Sequence, residues 1–535
     1  MNSMGQIGLA HKKPSLHFIK KDKHVNEKRL SLIETGIFLW TLCLITAASL
    51  LLVASRSSPL YPFNDWADVN TFFTLGKGML SGKVLYRDLF DHKGPFLYFV
   101  YGVASLISYK TFLGVYILET FSLSFFLFLS AKTLMLFMDR KVALLPLPVL
   151  AGAILNLRSF AYGGTAEVFT FPLMVASLYF LMHYFREMYP NPLPLRWGFL
   201  LGILAGCIFW TKYSFLGFWL GWVIIVCLSA LFQKQFHHIL KFLALFSTGM
   251  LGATLPWILY FGIHHAIRDW IDAYFVVNLT AYAKDLSLGE ILHTAVDSYQ
   301  RHLQFNPLAV GLLSLGVLLF TTTRKFIKSW WFRLGLILSI GLLTMGVYAG
   351  GRDYIYYFLI FAPFLIFGFI ELAHNYQAHI GTISSNLLVF ILLIVSLLLS
   401  FAYTFRFNRN TDFRHTQQQD LAQIQFAEII QQDEDASLLN YGFQDSGFYT
   451  AAGILPNVKY FQKYNFEYGT FPINMDEQTQ YIRDKRVNYV VIRSTTGEST
   501  THLDLNVLNQ NYHLIAQKSQ QFGEQYFTYE LFQQK

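Results

Sequence analysis

Charge is scarce in this sequence. Only 14% of its 535 residues are Asp, Glu, Lys or Arg, against roughly 25% for a soluble domain. Hydrophobic residues make up 54% and the mean hydropathy is +0.37. This balance excludes a disordered chain, a fibrous repeat and an ordinary cytosolic enzyme. Cysteine is nearly absent. Cys43, Cys207 and Cys227 all lie inside apolar runs without paired spacing, which excludes a disulfide framework and a cysteine metal motif. Also missing are a glycine-rich nucleotide loop, a repeat of fixed period and a cleavable leader. The first apolar run (32–54) is too long for a signal segment, and its flank (11–30) is strongly basic. It reads as an anchor helix with that flank in the cytoplasm.

What the sequence has instead is apolar runs long enough to cross a bilayer. They fall at 32–54, 94–109, 111–138, 142–157, 167–187, 197–211, 213–232, 240–262, 307–322, 334–350, 354–373 and 385–405. Residues 411–535 carry 15 acids and 9 bases, a net −6; residues 1–410 carry 18 acids and 32 bases, a net +14. A basic membrane body with an acidic tail marks cytoplasmic loops, and nucleic acid is not an expected partner. Positive residues cluster at Arg140-Lys141, Arg186 to Arg196, Lys234 to Lys241 and Arg324 to Arg333. The positive-inside rule assigns these junctions to the cytoplasm. They all land there only if 94–109 dips into the membrane edge instead of crossing. That count is eleven crossings plus one partial segment, and it sends the tail outside.

The expected architecture is an α-helical polytopic membrane protein of about 11–13 transmembrane helices with a C-terminal extracytoplasmic α/β domain. Its parts are a basic cytoplasmic N-terminus (1–31), a membrane domain (32–409) with an external loop (55–93), and the outer domain (410–535). The aromatic stretch 263–306 is expected to lie along the interface as helices. In the tail, strands are expected at Ser437–Tyr441 and Val487–Arg493, helices at Asp420–Gln432 and Asp476–Asp484, and a hairpin over His513–Phe532.

The loop reads NDWADVNTFFTLGKGMLSGKVLYRDLFDHKGP over residues 64–95. Such charge density beside a bilayer is costly to bury unless it is paired or used. The spacing of Val69, Phe72, Phe73, Leu75 and Met79 predicts a surface helix. Asp68 stands at its start, where the helix dipole favours a carboxylate. Asp65, Lys77, Lys83 and Arg87 read as solvated loop charges.

The run from Asp68 to Tyr98 resembles the first external loop of bacterial GT-C membrane glycosyltransferases, the group of protein O-mannosyltransferases and lipid A aminoarabinose transferases. The matching elements are Asp68, Gly76, Gly82, Tyr86-Arg87-Asp88 and Phe90-Asp91-His92-Lys93-Gly94-Pro95. Weaker matches are Gly163-Gly164-Thr165-Ala166-Glu167, Trp210-Thr211-Lys212 and Tyr354-Ile355-Tyr356-Tyr357-Phe358. In the last of these, Tyr356 stands where a histidine is usual. The resemblance implies a polyprenyl-phosphate sugar donor and an inverting transfer to an envelope glycan, lipid or protein outside the membrane. It implies Asp68 as general base, Lys93 on the donor phosphate and Glu167 as a second acidic site residue.

Inverting transfer needs one carboxylate to take a proton and cations to stabilise the departing phosphate. Arg158 and Arg352 suit a phosphate oxygen pair, or else anchor helices at the interface. Tyr356 and Tyr357 line a sugar or lipid pocket, or belong to an aromatic belt. Lys212 reads as a snorkelling side chain at the end of an apolar run. Asp91 and His92 are substrate-binding candidates, with a divalent metal as a further possibility; no cofactor is otherwise implied. Asn278-Leu279-Thr280 fits a glycosylation sequon, a pattern too common to weigh.

Two other functions compete. A secondary transporter needs charges buried mid-helix and two related halves; the helix interiors are nearly free of charge, with Glu119 the clearest exception and Lys132 near a cytoplasmic end, and no halves repeat. A non-catalytic envelope assembly protein needs one anchor helix, not a dozen.

Overall fold

The computed structural model describes residues 35–495, 503–522 and 525–535. The expected cytoplasmic N-terminus, residues 1–31, lies outside the described residues. Each apolar run from 32–54 onward is recovered as helix. Among the described residues, eight stretches are long and apolar enough to cross a membrane by length and composition. Several begin on a side chain that accepts an otherwise orphaned backbone N–H. Thr35 caps Gly36–Ala54, Thr165 caps Ala166–His183 and Ser385 caps Asn386–Phe407.

The longest stretch, Leu195–Phe232, is two elements. It breaks at the tight turn Tyr213–Leu216 into Leu195–Lys212 and Gly217–Phe232. Along the first element, Gly198 faces Phe242, Gly202 faces Phe246 and Gly206 faces Met250. Leu195–Lys212 and Phe236–Ile263 therefore run parallel. Only a short turn joins Gly217–Phe232 to Phe236–Ile263, so the element between has to run back. Two apolar helices are shorter, Pro95–Ile107 and Pro307–Thr322. Thirteen residues span only about 20 Å, less than the roughly 30 Å hydrocarbon core. Pro95–Ile107 thus suits the edge segment that the charge pattern requires. The run 142–157 divides at Pro146 into Arg140–Leu144 and Leu147–Leu155.

The stretch 263–306 forms a short helix (Ile267–Ile271), two wide turns and the helix Leu288–Phe305. Leu288, Leu292 and Val296 are exposed along one face of that last helix, as expected of an interfacial element. The tail builds a four-stranded sheet from β1 (Leu438–Tyr441), β2 (Tyr489–Thr495), β3 (Tyr512–Phe522) and β4 (Gln525–Gln534), in the order β1-β2-β4-β3. β1 pairs parallel to β2, and the hairpin β3–β4 adds antiparallel. The helices Ala422–Ile430 and Ile473–Arg483 accompany it. A single apolar cluster runs from the 55–93 loop and the helix after it (Phe72, Phe90, Tyr98) into this sheet (Val490, Leu531). The tail is seated on the loop and is not a tethered appendage.

Candidate active site

The loop 55–93 folds around one helix and one tight turn. Ala67–Leu80 carries Asp68 in its first turn and buries Val69, Phe72, Phe73 and Leu75. The segment that follows is tied by side chains to its own backbone. The Tyr86 hydroxyl donates to the Lys93 carbonyl at 2.7 Å, and the Lys93 amide donates to the Tyr98 hydroxyl at 2.9 Å. Tyr98 in turn donates to Asp91 Oδ2 at 2.6 Å. Gly94 N donates to the Thr211 carbonyl at 3.1 Å. A Cβ on Gly94 would stand 2.0 Å from the Trp210 carbonyl oxygen. Glycine therefore lets the loop touch the end of Leu195–Lys212, and that contact brings Lys93 beside Lys212.

Glu167 arrives from a second turn. Gly163 and Gly164 both have positive φ (83° and 68°), a conformation that side chains avoid. Glu119 accepts hydrogen bonds from the Gly164 amide and from Ser55 Oγ, and Tyr101 donates to the Gly164 carbonyl. Glu119, an acid buried within the helix Leu113–Leu134, is thus used to hold this turn. From it Glu167 points inward, 1% exposed, with Oε1 at 3.0 Å from Lys212 Nζ. Its other oxygen has no hydrogen-bond partner among the described residues. Lys212 Nζ also sits 3.8 Å above the Tyr357 ring.

A cavity of about 370 Å³ opens here. Lys93, Lys212 and Arg352 line it together with His92, Tyr282 and Tyr357. Arg352 lies over the Tyr282 ring, whose hydroxyl meets that of Tyr357 at 2.9 Å. Asn278, the sequon residue, is buried and donates to the His92 carbonyl at 2.7 Å; it supports the loop and is no surface acceptor. Asp68 is half-buried at the edge of this cluster. Burial raises its carboxyl to about 6; Glu167 and Asp91 push the same way, while Lys93 and the Tyr356 hydroxyl oppose. Asp91 behaves differently. Burial also acts to raise it, but His92, Lys93 and the Tyr98 hydroxyl outweigh that and hold it at about 2.

The residues present do not fit a metal at Asp91–His92. One Asp91 oxygen faces His92 Nδ1 at 3.1 Å and the other accepts the hydrogen bond of the Tyr98 hydroxyl. The second His92 nitrogen meets Lys93 Nζ at 2.8 Å, where the ammonium excludes a cation. No three His, Cys, Asp or Glu side chains converge as a ligand set among the described residues.

Of the residues singled out by sequence, Asp68, Asp91, His92, Lys93, Glu167, Arg352, Tyr356 and Tyr357 come together. Arg158 does not: its guanidinium lies over Phe305, 5.6 Å from the ring centroid, outside the cavity lining. Two loop charges expected in solvent are buried. Asp65 pairs with Arg56 at 2.8 Å, and Lys77 is 0% exposed. Asp65's partner lies nine residues back in the same loop, whereas that of Lys77, Thr450, lies 373 residues on, which a window of neighbours does not reveal. Lys212 does not snorkel to the membrane edge; it pairs with Glu167 and lines the cavity. The signal was its parity, since it ends a run on the same face as Glu167.

A polytopic helical body, a helix-bearing loop rich in charge and a C-terminal domain seated on it match the GT-C fold, and the chain has that fold. Two solved structures carry the likeness. ArnT, a lipid A aminoarabinose transferase, from Cupriavidus metallidurans bound to undecaprenyl phosphate superposes with a TM-score of 0.59 at 11% identity, over 92% of this chain and 98% of that one. The apo ArnT of the same organism gives 0.50 at 13% identity over the same shares. The archaeal oligosaccharyltransferase AglB from Archaeoglobus fulgidus gives 0.46 at 12% identity, over 85% of this chain and 69% of that one, and carries no weight below. No family model and no curated protein sequence matches the chain.

Proposed function

We propose that this protein is a glycosyltransferase that moves a sugar from a polyprenyl-phosphate donor to an acceptor hydroxyl on the outer face of the membrane. The observation that carries the proposal is the meeting of Lys93, Lys212 and Arg352 in one cavity beside a half-buried Asp68. Three cations in a partly enclosed site suit a phosphate, and the adjacent carboxylate suits a proton acceptor. Bound undecaprenyl phosphate in one ArnT structure supports the same class of donor.

On this reading Asp68 takes the acceptor's proton as its oxygen attacks the anomeric carbon. The sugar–phosphate C–O bond breaks on the opposite side, and the electron pair leaves with the phosphate, so the anomeric centre inverts. Lys93, Lys212 and Arg352 stabilise the charge that develops on the phosphate. Glu167 holds Lys212 in place. Tyr357 and Tyr282 wall the pocket, and Tyr356 orients Asp68. The envelope acceptor is a glycan, lipid or protein, and residues 410–535 lie on its side of the membrane. No step passes through a metal. Charged groups gathered at one end of the bundle, with Glu119 used to hold a turn, favour a surface site over a transport path.

Binding of undecaprenyl phosphate to the full-length protein tests the assignment. Removing one charge-assisted phosphate contact removes about 1.5–3 kcal/mol, roughly 10- to 100-fold in affinity. Lys93→Ala and Arg352→Ala should each show such a loss. Wild-type affinity in both would reject the phosphate site.

A further inference from the structure

The helix Ala67–Leu80 has a second polar face. Asp68 and Lys77 are nine residues apart, two and a half turns, and so point to opposite sides of the helix. The far side is gripped by the C-terminal domain on three successive steps. Thr71 Oγ1 donates to Gln462 Oε1 at 3.0 Å, Thr74 Oγ1 to Asp445 Oδ2 at 2.9 Å, and Lys77 Nζ to Thr450 Oγ1 at 3.1 Å. The partners are themselves fixed. Gln462 Oε1 also accepts from the Asp445 amide at 2.6 Å. Asp445 Oδ1 accepts from Asn440 Nδ2 at 3.1 Å and from the Gly447 amide at 2.9 Å. Lys77, Thr74, Asp445 and Thr450 are each 0% exposed and Gln462 is 1% exposed.

A buried lysine and a buried aspartate are poor choices for adhesion alone, since apolar side chains of similar volume would pack there without desolvating a charge. Apolar packing is also non-directional and permits sliding. A connected polar network has one register, because a one-step shift leaves every buried member unpaired. The same domain grips the other half of the site. Phe90 N donates to the Lys459 carbonyl at 3.1 Å, and the Tyr464 hydroxyl donates to the Phe90 carbonyl. Phe466 meets the His92 ring edge-on at 5.0 Å. One segment, residues 445–471, therefore holds both the helix of Asp68 and the loop of Lys93.

We propose that Thr74, Lys77 and Asp445 are positioning residues that set the placement of Asp68 against the Lys93 cavity, which makes the C-terminal domain a working part of the active site. The inference rests on Asp68 being the reacting carboxylate. A shift of the helix by an ångström changes the distance from Asp68 to Lys93 and Glu167. Errors of that size cost about 100-fold in rate when a base must meet its proton.

The test uses the full-length protein in lipid nanodiscs. Infrared titration reads the Asp68 carboxyl, assigned by its loss in Asp68→Asn. The variant Thr74→Val removes one hydroxyl at constant shape and charge, and it leaves folding least disturbed. It should move the Asp68 midpoint by roughly half a pH unit or more, and Thr74→Ser should restore it. Lys77→Met and Asp445→Asn should move it too. An unmoved midpoint in Thr74→Val and in each folded charge variant overturns the proposal. Undecaprenyl phosphate binding by the wild type is measured alongside. No binding with a moved midpoint rejects the transferase reading and keeps the positioning device. Binding with an unmoved midpoint does the reverse.

Discussion

The variant Asp68→Asn should make the protein more stable and inactive at the same time. The Asp68 carboxyl moves from the ordinary 3.8 up to about 6, burial being the main cause. At 1.36 kcal/mol per unit, the ionised form weakens the folded state by at most about 3 kcal/mol. Asp68 is only half-buried, and solvent screening at its exposed side brings the expected figure nearer to about 2 kcal/mol. The sign follows from which state holds the proton. Between about pH 4 and pH 6 the folded chain keeps the Asp68 proton and the unfolded chain loses it. The stability associated with the neutral form is therefore complete below about pH 4 and is lost as the pH rises through about 6. Asparagine stays neutral throughout. Asp68→Asn should melt a few degrees above the wild type at pH 7.5, and the gap should close towards pH 4.5. Comparing the two proteins at each pH cancels every other titrating group. Sugar transfer should disappear in the variant, and in the wild type it should fall tenfold per pH unit below about 6. An Asp68→Asn protein that melts at or below the wild type at pH 7.5, or by the same margin at both pH values, refutes the reasoning.

Lys212→Met leaves the Glu167 carboxylate buried without its cation and should lose about 3–5 kcal/mol. Adding Glu167→Gln should recover most of that melting temperature, and no recovery would separate the two side chains. Gly164→Ala places a Cβ 2.6 Å from Val69 and 2.8 Å from the Tyr101 hydroxyl in a left-handed turn. A loss of about 1–3 kcal/mol is expected together with a loss of transfer, because Val69 adjoins Asp68; unchanged stability would show that the turn tolerates a side chain. Gln432 is exposed at the end of Ala422–Ile430, so Gln432→Cys should react with an impermeant thiol reagent applied from outside the cell. Labelling only from the cytoplasm would invert the topology.

Much of this was legible in the linear chain because it depends on near neighbours. Helix periodicity around Val69 and Phe72, the alternation in the β3–β4 hairpin and the positive junctions all repeat within a few residues. The charge parity makes 94–109 a partial segment, and the helix there, Pro95–Ile107, has 13 residues; Pro307–Thr322 and the divided run 142–157 are short as well. The loop run from Asp68 to Lys93 was equally plain. It is a local motif whose turns are closed by its own tyrosines.

Lys77 and Asp65 were not legible in the same way. A charge in a loop looks solvated until its partner is known, and Thr450 lies 373 residues from Lys77. Arg158 has the right chemistry for a phosphate, yet it lies over Phe305, outside the cavity lining.

The sequence by itself determined a many-helix membrane body, an acidic C-terminal domain and a loop carrying a carboxylate and a lysine. The bilayer demands long apolar runs, and charge decides which ends of them stay in water. Tertiary structure alone decided that Lys212 leaves the lipid edge to pair with Glu167, that three cations share one cavity, and that the C-terminal domain locks the helix of Asp68. Those outcomes depend on burial and on contacts between distant segments. A buried charge persists only where the fold supplies its partner, and no stretch of neighbouring residues specifies where that partner comes from.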